Sequence, residues 1–356
     1  MKTALYPSHL AAGGHLTEFA GWELPLHFGS QLQEHRAVRR HAGMFDVSHM
    51  AITDIQGPGA RDFMRALLCN DVDRIERSGG AQYGCMLNDE GGIIDDVIVY
   101  RWADDDFRLV SNAGTRPRVS AWLQHRQAEF DVRLASAGNL SMLAIQGPLA
   151  RELTLPCLPS ALGATAGDLP AFCALRDGAW QVARTGYTRE DGFEVIVPDD
   201  EVTVFWRALL SRGVLPCGLA ARDTLRLEAG LRLYGVDMDE ETTPAEAGLN
   251  WTVALQPAER RFFGREAIEQ RGNQARRWEF AGLVLEEPGV LRAHQSVEVP
   301  GLGVGQITSG GYSPGLNRAI AFARLPVGST RAGLCQVRIR DKMKMARVRS
   351  PRFLSQ

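Results

Sequence analysis

Several things this sequence lacks narrow its chemistry early. No CxxC spacing, no HExxH, no Walker A run and no GxGxxG spacing occurs in its 356 residues. The six cysteines (69, 85, 157, 173, 217 and 335) are scattered, which argues against a disulfide framework and against a zinc or iron–sulfur site, so reduced, packed thiols are expected. The eight histidines form no ligand cluster, and His35 and His41 flank an Arg-rich helical segment expected to be solvated, so no metal is expected. "GLGVGQ", 301 to 306, reads as a turn between strands and not as a nucleotide loop. Charge of one sign is also missing. With 40 basic against 42 acidic residues there is no overall field to favour nucleic acid or an anionic membrane, so any partner surface has to be local. No window approaches the roughly 20 apolar residues of a membrane helix, and the N-terminus lacks the apolar core of a signal peptide. A soluble, cytoplasmic protein is expected.

What is present is a chain, 45% hydrophobic, long enough for a large core split over two or three domains. It carries an internal repeat. "DIQGPGARD", 54 to 62, recurs as "AIQGPLARE", 144 to 152, each reading as a strand end, a Gly-Pro and a helix, with Pro58 and Pro148 suited to the first helical turn. A hairpin follows in each copy, "GAQYGCMLNDEGGIIDDVIVY" turning at Asp89 to Gly92 and "GAWQVARTGYTREDGFEVIVP" turning near Arg189 to Gly192. A second helical pattern closes each unit, "RPRVSAWLQH" and "DDEVTVFWRALL", and in the first copy "DFRLVSN" reads as an extra strand. Strand, helix, hairpin, helix is an α+β arrangement with helices on one face of an antiparallel sheet.

The repeat bears on two carboxylates inside an apolar strand, Asp95 and Asp96. Neighbouring strand residues face opposite sides, so only one of them can face a given cleft. Aligning "DVIV" with "EVIV" sets Asp96 over Glu194 and selects Asp96, with the two acids expected to face a shared hollow. A solvated strand start after the Gly-Gly turn accounts for the same residues, and the residues alone leave both readings open.

In "CGLAARDTLRLEAG", 217 to 230, Arg222 and Arg226 fall four apart on one helical face, and Gly230 suits the C-cap. Arg222 is suited to hold a ligand carboxylate; an intrahelical pair with Asp223 or Glu228 is the alternative. From about 275 the pattern becomes short alternating segments punctuated by Gly and Pro, an all-β module expected to close as a small barrel. Its last hairpin carries Arg338, Arg340, Lys342, Lys344, Arg347 and Arg349, which suits a wet strand face or a docking surface for an acidic partner.

Five stretches in order, "FAGWELPLHFGSQLQEHRAVRRHAGMFDVSHM", "GGIIDDVIVY", "TGYTREDGFEV", "GLAARDTLRLEAGLRLYGVDMDE" and "GQITSGGYSP", resemble the aminomethyltransferase, or T-protein, family of the glycine cleavage system. The resemblance implies a multi-domain, cloverleaf-like α+β fold: two pseudo-repeated units plus the C-terminal β-barrel. The corresponding division is 1–50, an N-terminal segment packing on the repeats; 51–135 and 141–240, the repeats; 241–274, a connecting helical segment; and 275–356, the barrel. The implied activity takes an aminomethyl group from the lipoyl arm of H-protein, releases ammonia and forms 5,10-methylenetetrahydrofolate on the co-substrate tetrahydrofolate. By the same resemblance Asp96 is the catalytic carboxylate beside the reacting folate nitrogens, and Glu194 binds the amino-pyrimidine edge of the pterin. Arg222 is the "ARD" arginine near the folate, and Tyr83, Asn112 and Met50 line the same pocket.

Related folate-dependent demethylases and a non-enzymatic folate-binding repair protein are the alternatives. The first usually sit behind a flavin module, and the second is marked by a Cys-containing motif that does not occur at 222 to 240. Residue 189 is Arg where the family pattern has Gly, a cost of roughly 1 kcal/mol or more if the position needs positive φ. Asn317 replaces another glycine and tolerates the left-handed region.

Overall fold

Each of the two Gln-Gly-Pro motifs ends a strand and leads into a helix: Ala51–Gln56 into Ala60–Leu67, and Leu140–Gln146 into Ala150–Thr154. Gly57 and Gly147 have φ of 129° and 135°, values side chains avoid, so the motif's glycine makes the turn and the proline stands just ahead of the helix proper. The computed structural model describes residues 1–272 and 276–354; the expected barrel boundary at 274/275 lies outside the described residues. The chain divides into two units, one of Met1–Arg65, Asp71–Gly84 and Val97–Asp223, the other of Ala66–Asn70, Cys85–Asp96 and Thr224–Gln356.

Two mostly antiparallel sheets carry the repeats. The first has the order Gly80–Leu87, Ile93–Ala103, Asp106–Ser111, Ala51–Gln56, Arg133–Ser136, its two leading strands running from one unit into the other along the chain. The second has the order Ala174–Asp177, Trp180–Ala183, Gly192–Pro198, Leu140–Gln146, Gly43–Asp46, Leu215–Pro216, so the N-terminal segment contributes a central strand.

This order corrects the alignment of the repeats. Both copies are three-stranded meanders, because the short strand Ala174–Asp177 matches Gly80–Leu87, and Asp106–Ser111 is therefore not an extra strand but the counterpart of Gly192–Pro198. The register agrees: Gln56 faces Asp106 and Asp54 faces Arg108, as Gln146 faces Gly192 and Ala144 faces Glu194. Glu194 thus corresponds to Arg108 and not to Asp96. "DVIV" and "EVIV" look alike because both are buried strands, and a period of two cannot say which strand of a meander is being matched.

In the second sheet Phe193, Val195 and Val197 alternate onto the helix Val202–Ser211, where they pack with Phe205, Trp206 and Leu209. Each such side chain contributes about 1.5–3 kcal/mol on burial. Alternation leaves Glu194 on the opposite face. The helix Gln31–Arg40 is not a solvated segment: Glu34, His35, Ala37 and Val38 are buried on one side of it.

In the second unit six antiparallel strands close a barrel around Leu283, Val297, Ile307, Ala321, Leu325 and Val337. Closure removes the exposed sheet edges that would otherwise template pairing with other chains. "GLGVGQ" contains the end of the turn after Ser296–Val299 and, from Gly303, the first residues of the strand Gly303–Ser313 that pairs with it. The buried Arg260 donates to the carbonyls of Leu68 (2.5 Å), Asn70 (2.8 Å), Ala254 (2.9 Å) and Cys69 (3.2 Å), joining chain segments far apart in sequence. Among the described residues no helix is long and apolar enough to cross a membrane.

Candidate functional site

Glu194 lies opposite Ala183 in its sheet, so only a methyl group stands beside the carboxylate on that side. It is 5% exposed, and Thr185 Oγ1 donates to its Oε2 at 2.6 Å. The Tyr100 hydroxyl lies 3.4 Å from the same threonine. Burial raises the Tyr100 phenol above the usual tyrosine range and the Glu194 charge adds to this, so the phenol stays a hydrogen-bond donor. At the matching position of the first sheet Arg108 grips Asp54 through two hydrogen bonds (2.7 and 3.0 Å). One copy of the repeat has closed that position with an ion pair, and the other holds an acid there.

Arg222, on the helix Leu219–Ala229, lies within the field of this acid. Its guanidinium stacks over Tyr187, 4.7 Å from the ring centroid, with Phe45 at 6.0 Å. Burial works against its charge, while Glu194 and then Tyr187 sustain it. Its Nη1 is buried with no hydrogen-bond partner among the described residues. A buried guanidinium N–H without an acceptor is costly, and a ligand acceptor would relieve it. The helix start is fixed by Glu34, a 5%-exposed carboxylate that accepts from the backbone N–H of Phe28 (2.7 Å) and of Gly218 (2.8 Å).

Met50 and Asn112 flank the Ala51/Ser111 pair at one end of their two strands, and both are half-buried. Arg116 Nη2 donates to the carbonyls of His49 (3.0 Å) and Met50 (3.2 Å), fixing that end. His49 is 6% exposed, sits edge-on to Phe19, and is pushed down to about 4 by burial and by the cations Arg222 and Arg116, against the opposing charge of Asp46. It is therefore neutral at physiological pH. Asp46 in turn is held below the usual carboxylate range: burial opposes its charge, but His9, Ser48 and Thr3 together outweigh it. Tyr83 is half-buried on the strand Gly80–Leu87.

Thus the first unit places Glu194 and Arg222 in one electrostatic neighbourhood, with Met50 tied through Arg116 to His49, itself within the field of Arg222. Sequence reading missed Tyr100, Thr185, Tyr187 and His49, although each lies inside a stretch quoted above. A polar residue at a buried strand position, or next to the acid's hairpin, was the available signal.

Asp96 belongs to the second unit. The expected alternation holds: Asp95 is fully buried and Asp96 keeps part of its surface accessible. The Asp96 charge reaches the buried Cys85 thiol, which is raised well above the usual range first by its hydrogen bond to Cys69, then by burial, with Asp96 adding. All six cysteines are free. Among the described residues no group of three His, Cys, Asp or Glu side chains is placed to hold a metal.

On the helix Leu219–Ala229 the other arginine has a different task from Arg222. Arg226 Nη1 donates to Asp237 at 2.7 Å and its Nη2 to Ser309 at 2.9 Å, a buried link within the second unit. Glu228 accepts from Ser313 Oγ at 2.6 Å. Arg189 has φ of 64° and Asn317 of 53°, so both do occupy the left-handed region.

Residues 5–257 match the GCVT N-terminal domain, and residues 279–354 match the glycine cleavage T-protein C-terminal barrel domain. The chain is 50% identical over 352 residues to an aminomethyltransferase of Methylococcus capsulatus, covering 99% of this chain and 96% of that protein. It is 50% identical to one of Alcanivorax borkumensis over 99% of this chain and 96% of that one. The crystal structure of the glycine cleavage system aminomethyltransferase T from Bartonella henselae superposes with a TM-score of 0.92 at 34% identity, over 99% of this chain and 98% of that one.

Proposed function

We infer a division of labour among the site residues from one premise: the chain belongs to the aminomethyltransferase family, the T-protein of the glycine cleavage system. It is a transferase whose co-substrate is tetrahydrofolate, and its products are ammonia and 5,10-methylenetetrahydrofolate. The donor is the aminomethyl group on the lipoyl arm of H-protein, whose sulfur leaves as a thiol, so no oxidation or reduction takes place.

The observation that carries the site assignment is the buried Glu194 carboxylate, in whose field lies an Arg222 whose Nη1 is buried with no partner among the described residues. An ionised carboxylate only accepts hydrogen bonds and a guanidinium only donates them. Within one electrostatic neighbourhood, the two groups complement a flat heterocyclic edge that offers N–H donors next to a carbonyl, as the amino-pyrimidine edge of a pterin does. Glu194 receives the N–H groups and Arg222 supplies the donor. Tyr83 provides a stacking or hydrogen-bonding wall, with Met50 and Asn112 lining the same pocket.

Asp96 is the catalytic carboxylate. It raises the nucleophilicity of the folate N10 by accepting from it, takes part in moving its proton, and stabilises positive charge that develops during transfer. Its partial exposure supports the assignment over the fully buried Asp95. For H-protein the docking surface is the tip of the last barrel hairpin, where Arg338, Arg340 and Lys342 are exposed; Arg347 is already paired with Glu286 at 3.0 Å, and Lys344 with the Pro288 carbonyl.

The test is ammonia release from aminomethylated H-protein, with and without tetrahydrofolate. Release that depends on folate and is largely abolished in Asp96→Asn is expected. Folate-independent release would sink the transferase reading, and wild-type turnover in Asp96→Asn would sink the role of that residue.

A further inference from the structure

The stretch "LYGVDMDE", 233 to 240, has no part in the chemistry above, yet within the second unit it is bound tightly to the hairpin turn that leads into the strand bearing Asp96. The Tyr234 hydroxyl donates to the Ile93 carbonyl at 2.8 Å. The Ile93 N–H donates to the carbonyls of Thr242 (3.0 Å) and Asp239 (3.2 Å). Asn88 ties the hairpin's other arm, giving a side-chain N–H to the Glu240 carbonyl (3.1 Å) and accepting from the Gly92 N–H (2.7 Å). The fit leaves no room: a Cβ at Gly92 would lie 1.6 Å from the Glu240 carbonyl oxygen. Only glycine lets the two backbones approach this closely.

The loop itself is held by Asp237, which is fully buried. Its carboxylate accepts from Arg226 (2.7 Å), Ser309 (2.7 Å), Thr308 (2.5 Å) and the Leu233 N–H (2.9 Å). Arg324 of the barrel reaches Thr242 Oγ1 at 2.8 Å. The barrel strands Gly303–Ser313 and Arg318–Pro326 thereby fix the loop, and the loop fixes both backbone groups of Ile93, three residues before Asp96.

We propose that Tyr234 is a positioning residue for Asp96: its hydroxyl, in a loop anchored to the barrel through Asp237, sets the strand position that aims the carboxylate. The inference rests on the catalytic reading of Asp96. A carboxylate on a strand has two side-chain torsions of its own, so its reach is set by where the backbone is pinned. A displacement of about 1 Å at a reacting group costs on the order of 100-fold in rate.

The experiment compares Tyr234→Phe, Asp96→Asn and the double variant. Steady-state transfer is measured, together with hydrogen exchange at residues 93–96 in the folate-free protein. Tyr234→Phe is expected to lower kcat about 10- to 100-fold, leave KM for tetrahydrofolate within twofold, and speed exchange at 93–96. Added to Asp96→Asn it is expected to lower kcat no further. A loss that multiplies in the double variant would show that Tyr234 acts through some other group and overturn the proposal, as would an unchanged kcat in Tyr234→Phe. Full turnover in Asp96→Asn alone would instead overturn the catalytic reading, whatever Tyr234 does. Should Tyr234→Phe not fold, Asn88→Ala loosens the other arm of the same hairpin and is read in the same way.

Discussion

Replacing Glu194 by Gln removes one charge from a site only 5% exposed while keeping the shape of the side chain. The amide oxygen still accepts from Thr185 Oγ1, now 2.6 Å from the carboxylate, so the local fold has no reason to change. What changes is the side facing the ligand. An acceptor with full negative charge becomes an amide, whose NH2 group meets the N–H donors of the pterin edge. Loss of a charge-assisted hydrogen bond costs about 1.5–3 kcal/mol, or roughly 10- to 150-fold in affinity. Isothermal titration with a stable reduced folate such as 5-formyltetrahydrofolate reads the affinity, and calorimetry reads the fold. A variant with wild-type melting and folate affinity within twofold of the parent would refute the assignment. In that case the charge would be gone and the ligand indifferent to it.

Three further outcomes are expected. His49, brought down to about 4 from an ordinary 6.5, binds its proton more weakly folded than unfolded. It contributes stability that is complete above about pH 6.5 and is lost as pH falls toward 4, at most roughly 3 kcal/mol; His49→Gln should flatten denaturant-measured stability over that window, and an unchanged pH slope would count against it. Arg189→Gly removes a left-handed arginine, relieving about 1–2 kcal/mol of strain against about 0.4–1 kcal/mol of added chain entropy. A melting temperature raised by about 1–3 °C is expected by calorimetry, and a lowered one contradicts it. Reversing charge at Arg338 and Arg340 should slow H-protein association at low salt and matter little at high salt; equal rates in stopped flow at low salt would leave the hairpin merely solvated.

The sequence was most legible where one local signal decides the matter. Alternating segments broken by Gly and Pro identify the barrel, and a family glycine position occupied by Arg189 raises the question of a positive φ, which the residue has. It was least legible where the deciding contact is remote. Ala174–Asp177 is four residues long and has no apolar alternation to announce it, yet without it the two meanders cannot be aligned, and the likeness of "DVIV" to "EVIV" pairs Asp96 with the wrong strand. Glu34 looks like any helix carboxylate until Gly218, 184 residues later, presents its N–H. His35 sits in an Arg-rich run, but its helix face is decided by the sheet strand that follows it, so charge content alone misjudged its burial. Within the site, Glu194 and Arg222 stand out in the sequence and take their folate roles from the resemblance, whereas Thr185 and Tyr100 needed coordinates, because a hydroxyl that props a carboxylate leaves no spacing rule behind.

The buried Arg260 has a consequence for how this protein is made. It is 191 residues downstream of Cys69, one of the carbonyls it holds. At about 5–20 residues per second a ribosome needs on the order of ten to forty seconds to cover that distance. During that interval the apolar stretch around Leu67, Leu68 and Cys69 has been synthesised without its eventual guanidinium clasp. Nascent chains halted before residue 260 should therefore be held by chaperones at this stretch, and release should coincide with emergence of the arginine from the exit tunnel.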